Sequence, residues 1–314
     1  MKTLIKAAML YRAALPDADL VAGHLQEKAF GEIQSLELAH LGFVPVPETG
    51  EMVSKFEGGF AFALRRDQKV IPASAVKAET QKLADAYLQA HGHKPGRKAR
   101  QELKEQAFDS LVPRALVNSQ VFTAFYHVAD QLLIVATSSK SVADLITGML
   151  IQAIGSVEFS TIHVSEVKHG LTTRLKNWLG QTEFDDDAFG DFQPVDQVQL
   201  VRRLDGRKEA VAVSMSDLQA AESALTEAMD AKFGVASIRF FAESLTFTLT
   251  DEFRLRSLAF EIPPDEDFSG TAWQHEAGIE VLMVARVVRQ LVELLSYKAP
   301  DAGEQAEAEF ESNE

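Results

Sequence analysis

Residues 91–100, HGHKPGRKAR, hold Lys94, Arg97, Lys98 and Arg100 and no carboxylate. Such a cluster suits a polyanion. A duplex presents one negative charge per ~1.7 Å of axis, so a protein that tracks it needs several Lys or Arg on one surface. Lys77, Lys82, Lys104 and Arg114 extend the series on either side. The plainer reading is solubility, because exposed helix faces are often lysine-rich. Yet the run is out of character with its chain. The 314 residues carry 46 acidic and 31 basic side chains, a formal net charge of −15. Residues 65–120 hold 11 basic and 6 acidic side chains, a balance of +5, so the remainder stands at −20. Few aromatics are interleaved, which disfavours a stacking platform for single strands. No helix-turn-helix or zinc-finger pattern supplies base readout. Any nucleic-acid contact is therefore expected at phosphates, without sequence preference.

Other chemistries find less support. His91 and His93 sit two apart with no evident third ligand, so a polar turn is their expected role. Asp185, Asp186, Asp187 and Asp191 gather oxygens of the kind a hard cation takes. An acidic loop on an acidic protein is, however, ordinarily just solvated. A nuclease built on Asp185, Asp186 and Asp187 would cleave in a magnesium-dependent way, and no cleavage is expected. There is no G-x-x-x-x-G-K-[ST] loop and no G-x-S-x-G elbow. HEAGI at His275 fails the zinc-protease pattern because position 279 is Ile. The absence of cysteine excludes disulfides, thiolate metal sites and cysteine nucleophiles, and fits a reducing cytoplasm. No catalytic residue, metal or cofactor is expected. The N-terminus begins like a signal peptide, but Lys6 and Arg12 interrupt it, so a strand is expected instead. No window has the roughly 18 apolar residues of a membrane span.

The elements that must carry these residues follow from periodicity. A strand is expected over 3–12 and a helix from Pro16-Asp17. GFVPVPETGE reads as a loop, and GGFAFALRR as a half-buried strand through Phe60, Phe62 and Leu64. A helix starts near Ser74 with Val76, Leu83 and Tyr87 on its apolar face. HGHKPG breaks it, and RKARQELKEQAFDSL starts a second helix, which together make a helical hairpin. SQVFTAFYHVADQLLIVATSS reads as two strands turning at Ala129-Asp130, and SVADLITGMLIQAIG as a helix. The hairpin thus reads as an insertion between strands. In the second half LTTRLKNWLG is a short helix, QTEFDDDAFGDFQPVD an acidic loop and KEAVAVSM a strand. A helix capped by Ser216 or Asp217 follows. Three strands then turn at Glu243-Ser244 and Asp251-Glu252, and a last helix runs from about 270 to 297. The expected fold class is α+β, with mixed or antiparallel sheets. The expected domains are a central one (1–73 with 115–164), a helical tip (74–114), a base (165–299) and an acidic, disordered tail (300–314).

Several short blocks carry a family resemblance through their order: LIKAAMLYR, LGFVPV at 41–46, KVIPASAVK at 69–77, LVPRAL at 111–116, LTTRLKNWL at 171–179 and a strand ending in SDL at 216–218. In these the sequence resembles the recombination-associated protein RdgC family of proteobacteria, over most of the chain to about residue 298. The resemblance implies a non-enzymatic, nucleoid-associated protein in the cytoplasm. It implies a ring-shaped homodimer whose positively lined hole takes duplex DNA, with little sequence preference, and which restrains RecA-promoted strand exchange. Tip and base would make the dimer contacts. Arg114 matches the Arg of the family's L-P-R-A-F block, Lys77 the Lys after I-P, and Lys6 and Arg12 the basic positions of the first strand. Leu116 stands where the family closes that block with Phe, near a dimer contact. Met215 and Ser216 stand where it can carry Lys and Gln. The expected DNA-binding set is thus Lys6, Arg12, Lys77, Lys82, Lys94, Arg97, Lys98, Arg100, Lys104 and Arg114. Leu116, Met215 and Ser216 are expected at the dimer contacts. Lys94 and Arg97, at the bend, are equally placed to touch the partner subunit. The expected partners are duplex DNA, with single strands a further candidate, and a second copy of the chain. A rival reading makes the hairpin and the acidic tail a module that engages a recombination protein directly, with DNA incidental.

Overall fold

The structure, a computed structural model, describes residues 3–155, 157, 159–162, 167–180, 188–204, 206–261 and 272–295. The first half runs β1 (Ala7–Ala13), α1 (Ala18–Glu27), β2 (Ala39–Val44), β3 (Val53–Phe56), β4 (Gly59–Val70), α2 (Ala73–His91), α3 (Arg97–Leu111), β5 (Leu116–His127), β6 (Leu132–Val135), α4 (Lys140–Ile154) and β7 (Phe159–Thr161). The second runs α5 (Val167–Leu179), β8 (Gln193–Leu204), β9 (Arg207–Ser214), α6 (Glu222–Asp230), β10 (Gly234–Ala242), β11 (Leu245–Thr250), β12 (Leu255–Phe260) and α7 (Ala272–Leu295). The named strands pair antiparallel in the order β2-β4-β5-β6-β1-β12-β11-β10-β8-β9, with β3 on β4 and β7 on β1. This is the expected α+β class.

Strand β1 carries ladders to both halves. Ala7 and Ala8 pair with Arg256 and Leu255 of β12, while Met9 to Arg12 pair with β6. Its pleat then sends alternate side chains to opposite faces. Ala8 and Leu10 join a core shared with Ala61, Phe125, Leu132, Ile134 and the buried side of α7. Met9, Tyr11 and Ala13 join a second core with Phe60, Phe62, Leu64, Leu133 and the apolar sides of α1 and α4. The first half of β4 is therefore buried on both faces, and the half-buried strand expected there is corrected. Its alternation of Phe with Ala had looked like in-and-out patterning, but Ala61 and Ala63 are small because they too face packed layers.

Other boundaries also differ from the sequence reading. GFVPVPETGE is not all loop: Gly42, Phe43 and Val44 pair with Arg65, Leu64 and Ala63, and Phe43 is buried. The prolines act only after the strand has ended. Gly42 is required there, because a Cβ would lie 2.3 Å from the Phe30 Cα. The acidic loop ends sooner than expected, since β8 begins at Gln193 and buries Val198 and Leu200. The helix expected after Ser216 opens instead as a 3₁₀ turn. Asp217 Oδ1 accepts from the Gln219 N–H at 3.0 Å, and α6 starts only at Glu222. The turn at Glu243-Ser244 is present, with both residues at positive φ as a two-residue hairpin demands. The tail 300–314 lies outside the described residues.

The first strand begins at Ala7 rather than residue 3, because the preceding amides are used elsewhere. The Leu4 and Ile5 N–H groups donate to the Glu280 carboxylate of α7 at 2.8–3.1 Å. Glu280 is 1% exposed. Burial pushes its pKa up to about 6, against the two backbone donors, and Glu276 adds to the rise. A folded-state pKa above the unfolded value means the folded protein holds the proton more tightly. The stability this group contributes is therefore complete below about 4.5 and lost as pH rises through 6. The shift corresponds to about 2 kcal/mol. Urea unfolding at pH 5 and pH 7 should show about 1 kcal/mol of that loss, and Glu280→Gln should abolish it. The same drop in the variant would assign the pH dependence elsewhere.

Candidate nucleic-acid interface

Helices α2 and α3 leave the sheet between β4 and β5, which pair along their whole lengths from Gly59↔His127 to Val70↔Leu116. The insertion starts at Pro72, whose extended backbone ends the strand and precedes the first helical turn. Helix α2 stops at Gly92, in the left-handed region at φ 72°. Pro95 and Gly96 then lead into α3, which closes through a 3₁₀ turn at Val112–Arg114. The hairpin's buried residues are few: Val76, Ala84, Ala107 and Val112. None belongs to either hydrophobic core.

Between the helices lies an open groove of about 1110 Å³. Its floor is apolar, with Ile71, Val76, Ala84 and Phe108, and Lys77, Arg97, Arg100 and Lys104 line it. All four cations are exposed. Among the described residues, no ion pair engages any of them. Arg97, Lys98 and Arg100 occupy the first turn of α3, which has no acidic residue. That end already bears the positive pole of the helix dipole, so cations there cost stability, by about 0.3–1 kcal/mol each. Helix formation gives no reason for them. Together the pole and the three side chains make a strongly anion-attracting end.

The remaining expected positions fall in different places. Lys82 is exposed and paired with Glu79 at 2.9 Å, and Lys94 is exposed at the bend. Arg114 and Leu116 line a smaller groove of about 240 Å³ at the hairpin root, with Val70 and Leu111. Leu116 is 82% exposed there. Lys6 is exposed just before β1, where its carbonyl accepts from the Leu258 N–H. Arg12 is part-buried and donates to the Asp130 backbone carbonyl. It thus belongs to the cluster that docks α7, where Arg289 bonds the Asp130 carboxylate at 3.0 Å and His127 lies beside it. Burial alone would raise the Asp130 pKa, but Arg289 and the other cations hold it below the ordinary value. Met215 and Ser216 follow β9 and are exposed, in the half of the chain that does not carry the hairpin.

His91 and His93 pack as rings. His91 stacks on Tyr87 at 4.1 Å and His93 meets it edge-on at 5.8 Å. Among the described residues no group of three or more His, Asp or Glu gathers as a metal site. Asp185, Asp186 and Asp187 lie outside the described residues, and Asp191 is exposed. The sequence reading missed Thr80, Gln81 and Gln101, polar residues that complete the groove. The signal was present as 73, 76, 77, 80, 81 and 84 on α2 with 97, 100, 101, 104 and 108 on α3, the helical period of one face each.

The RdgC family model, described as "Putative exonuclease, RdgC", matches residues 3–297. The chain belongs to the RdgC family. Curated relatives carry the name Recombination-associated protein RdgC. One from Neisseria meningitidis serogroup C is 28% identical over 306 residues, covering 92% of this chain and 95% of its own. Another, from Cupriavidus pinatubonensis, is 27% identical over 252 residues, covering 76% and 84%. A third, from a Janthinobacterium species, is 25% identical over 297 residues, covering 93% and 96%. The names differ on chemistry: the family description speaks of an exonuclease, and the relatives' name speaks of recombination alone. No helix among the described residues is long and apolar enough to cross a membrane.

A hairpin outside both cores should open before the sheet does. Amide hydrogen exchange should show α2 and α3 exchanging at least tenfold faster than β1, β4 and β6. Equal protection would mean that the hairpin packs against something more than itself.

Proposed function

We propose that this RdgC-family chain acts in recombination by binding duplex DNA through its phosphates, without sequence preference. Two copies form a ring around the duplex at the nucleoid and restrain RecA-dependent strand exchange. The observation that carries this reading is the groove of cations, Lys77, Arg97, Arg100 and Lys104, unpaired among the described residues, in a chain of net charge −15. The relatives' recombination-associated name supports the process. Closing two such surfaces around one hole would focus positive potential inward while the acidic exterior faces water. Leu116 at the hairpin root, exposed and apolar, suits a contact with the second copy.

The proposed action is binding and not hydrolysis. Groups that serve a nuclease must present a metal or a general base to the phosphate. The groove lining offers cations, amides, a hydroxyl and apolar side chains, and no carboxylate or histidine. Such a lining holds a phosphate without cleaving it.

The test is a salt titration of duplex binding. Affinity should fall steeply with salt, by a log–log slope of about −0.9 for each phosphate neutralised. Replacing Lys77, Arg97, Arg100 and Lys104 with Gln together should flatten that slope by about 3 to 4 for each copy on the duplex. An unchanged slope would remove the groove from the interface. Incubating the duplex with magnesium or manganese should leave it intact, and metal-dependent shortening from the ends would make the chain an exonuclease. Persistent inhibition of strand exchange by the fourfold variant, with DNA binding lost, would favour direct contact with a recombination protein.

A further inference from the structure

The groove has a second candidate occupant within the same chain. Its floor, Ile71, Val76 and Phe108, is apolar, and its cations are unpaired among the described residues. A ligand that matches both would be anionic and carry an isolated large apolar group. Residues 300–314, PDAGEQAEAEFESNE, have that composition. They hold six carboxylate side chains, no base, and one aromatic, Phe310, between Glu309 and Glu311.

We propose that the acidic C-terminal segment docks in the groove between α2 and α3, with Phe310 on the apolar floor and its carboxylates on the basic rim. It would occupy the place of DNA phosphates and so set a threshold for binding. The docking stands on the groove and the segment; the competition with DNA also rests on the function proposed above. Charge complementarity is the main argument, since six acids meet four cations beside the positive pole of α3. Chain length allows it. Gly278 of α7 lies against Glu57, next to the start of β4. From there the hairpin root is one β4 length away, about 40 Å, and the end of α7 is about 26 Å away. α7 crosses the strand ends, since Arg286 reaches Glu243 and Arg289 reaches Asp130, so for a right-angle crossing the path from Leu295 to the root is about 48 Å, and residues 296–310 span about 50 Å when extended. The segment must therefore run nearly extended to reach the floor.

The segment also answers a difficulty in the charge distribution. A basic groove with no paired carboxylate would take any polyanion at low salt. A tethered acidic occupant raises that threshold through its local concentration, and yields only to a ligand with denser charge. Duplex DNA has that density.

The test uses the full chain with its own segment disabled by Glu304, Glu307, Glu309 and Glu311→Gln and Phe310→Ala. A fluorescent peptide of residues 296–314 is titrated against it by anisotropy. The peptide should bind, and more weakly as salt rises. Its Phe310→Ala form, with equal charge, should bind about tenfold more weakly, as the loss of one buried aromatic side chain requires. Adding Arg100→Gln and Lys104→Gln to the receptor should also weaken binding about tenfold, with thermal melting confirming that the receptor stays folded. No binding, or binding indifferent to Phe310 or to the groove pair, would overturn the docking. The disabled chain should bind duplex DNA severalfold more tightly than the unaltered chain at moderate salt. Equal DNA affinity would overturn the competition. Peptide binding by chains that take up no DNA at all would overturn the proposed function and leave the docking in place.

Discussion

One short strand holds the molecule together. β1 gives its first two residues to β12 and its next four to β6, so both halves of the sheet depend on seven residues near the N-terminus. Two aligned pairs are a weak seam by themselves. The seam is strengthened from the side by α7, which contributes Glu280 to the Leu4 and Ile5 amides and Arg289 to Asp130. It also stacks Trp273 on Phe125 at 6.3 Å. Burying a carboxylate costs stability unless hydrogen bonds compensate. Here part of the compensation comes from amides that no strand pairs, so each group reduces the other's penalty. The halves are held by a junction that is electrostatic at its centre and apolar around it.

That junction explains where the hairpin is free to be. Because β4 and β5 are buried on both faces near Gly59 and His127, their far ends must run out beyond the core. The first six residues of β5 are exposed, and the insertion begins and ends there. Nothing in either core constrains α2 and α3, so their sequence answers to different demands. One is to hold a thin seam of Val76, Ala84 and Ala107. The other is evident only in the charges. Basic first turns are unfavourable for a helix, and this one carries three cations.

Local pattern made much of this legible, and the limits are physical. The hairpin was readable because Pro72, Gly92, Pro95 and Gly96 punctuate it and because its helical period is uninterrupted. The meander of β10 to β12 was readable from its turns, the two-residue Glu243-Ser244 and a longer one that starts at Asp251. β2, β3 and β8 were not, because a strand gains much of its stability from packing against its neighbours in the sheet, which propensity does not show. The same reason hid Glu280: an acid in an amphipathic helix looks solvated until two remote amides are found against it. Among the site residues, charge and spacing selected the groove cations. The family resemblance added Arg12, whose guanidinium serves the α7 junction. Composition cannot separate a cation that holds the fold from one that faces outward.

A net charge of −15 repels DNA at distances beyond the Debye length, about 8 Å at physiological salt, only weakly, because screening removes most of it. Within that distance the local groups decide. Near the groove these are Lys77, Arg97, Arg100 and Lys104, together with the positive pole of α3. Elsewhere they are mostly carboxylates. Under the proposed function, the acidic remainder would confine binding to the hairpin more than oppose it. Adding cations across the whole surface would raise affinity and lose that confinement. Placing cations on an insertion outside the core leaves their number free to change without disturbing the packing that holds the two halves together.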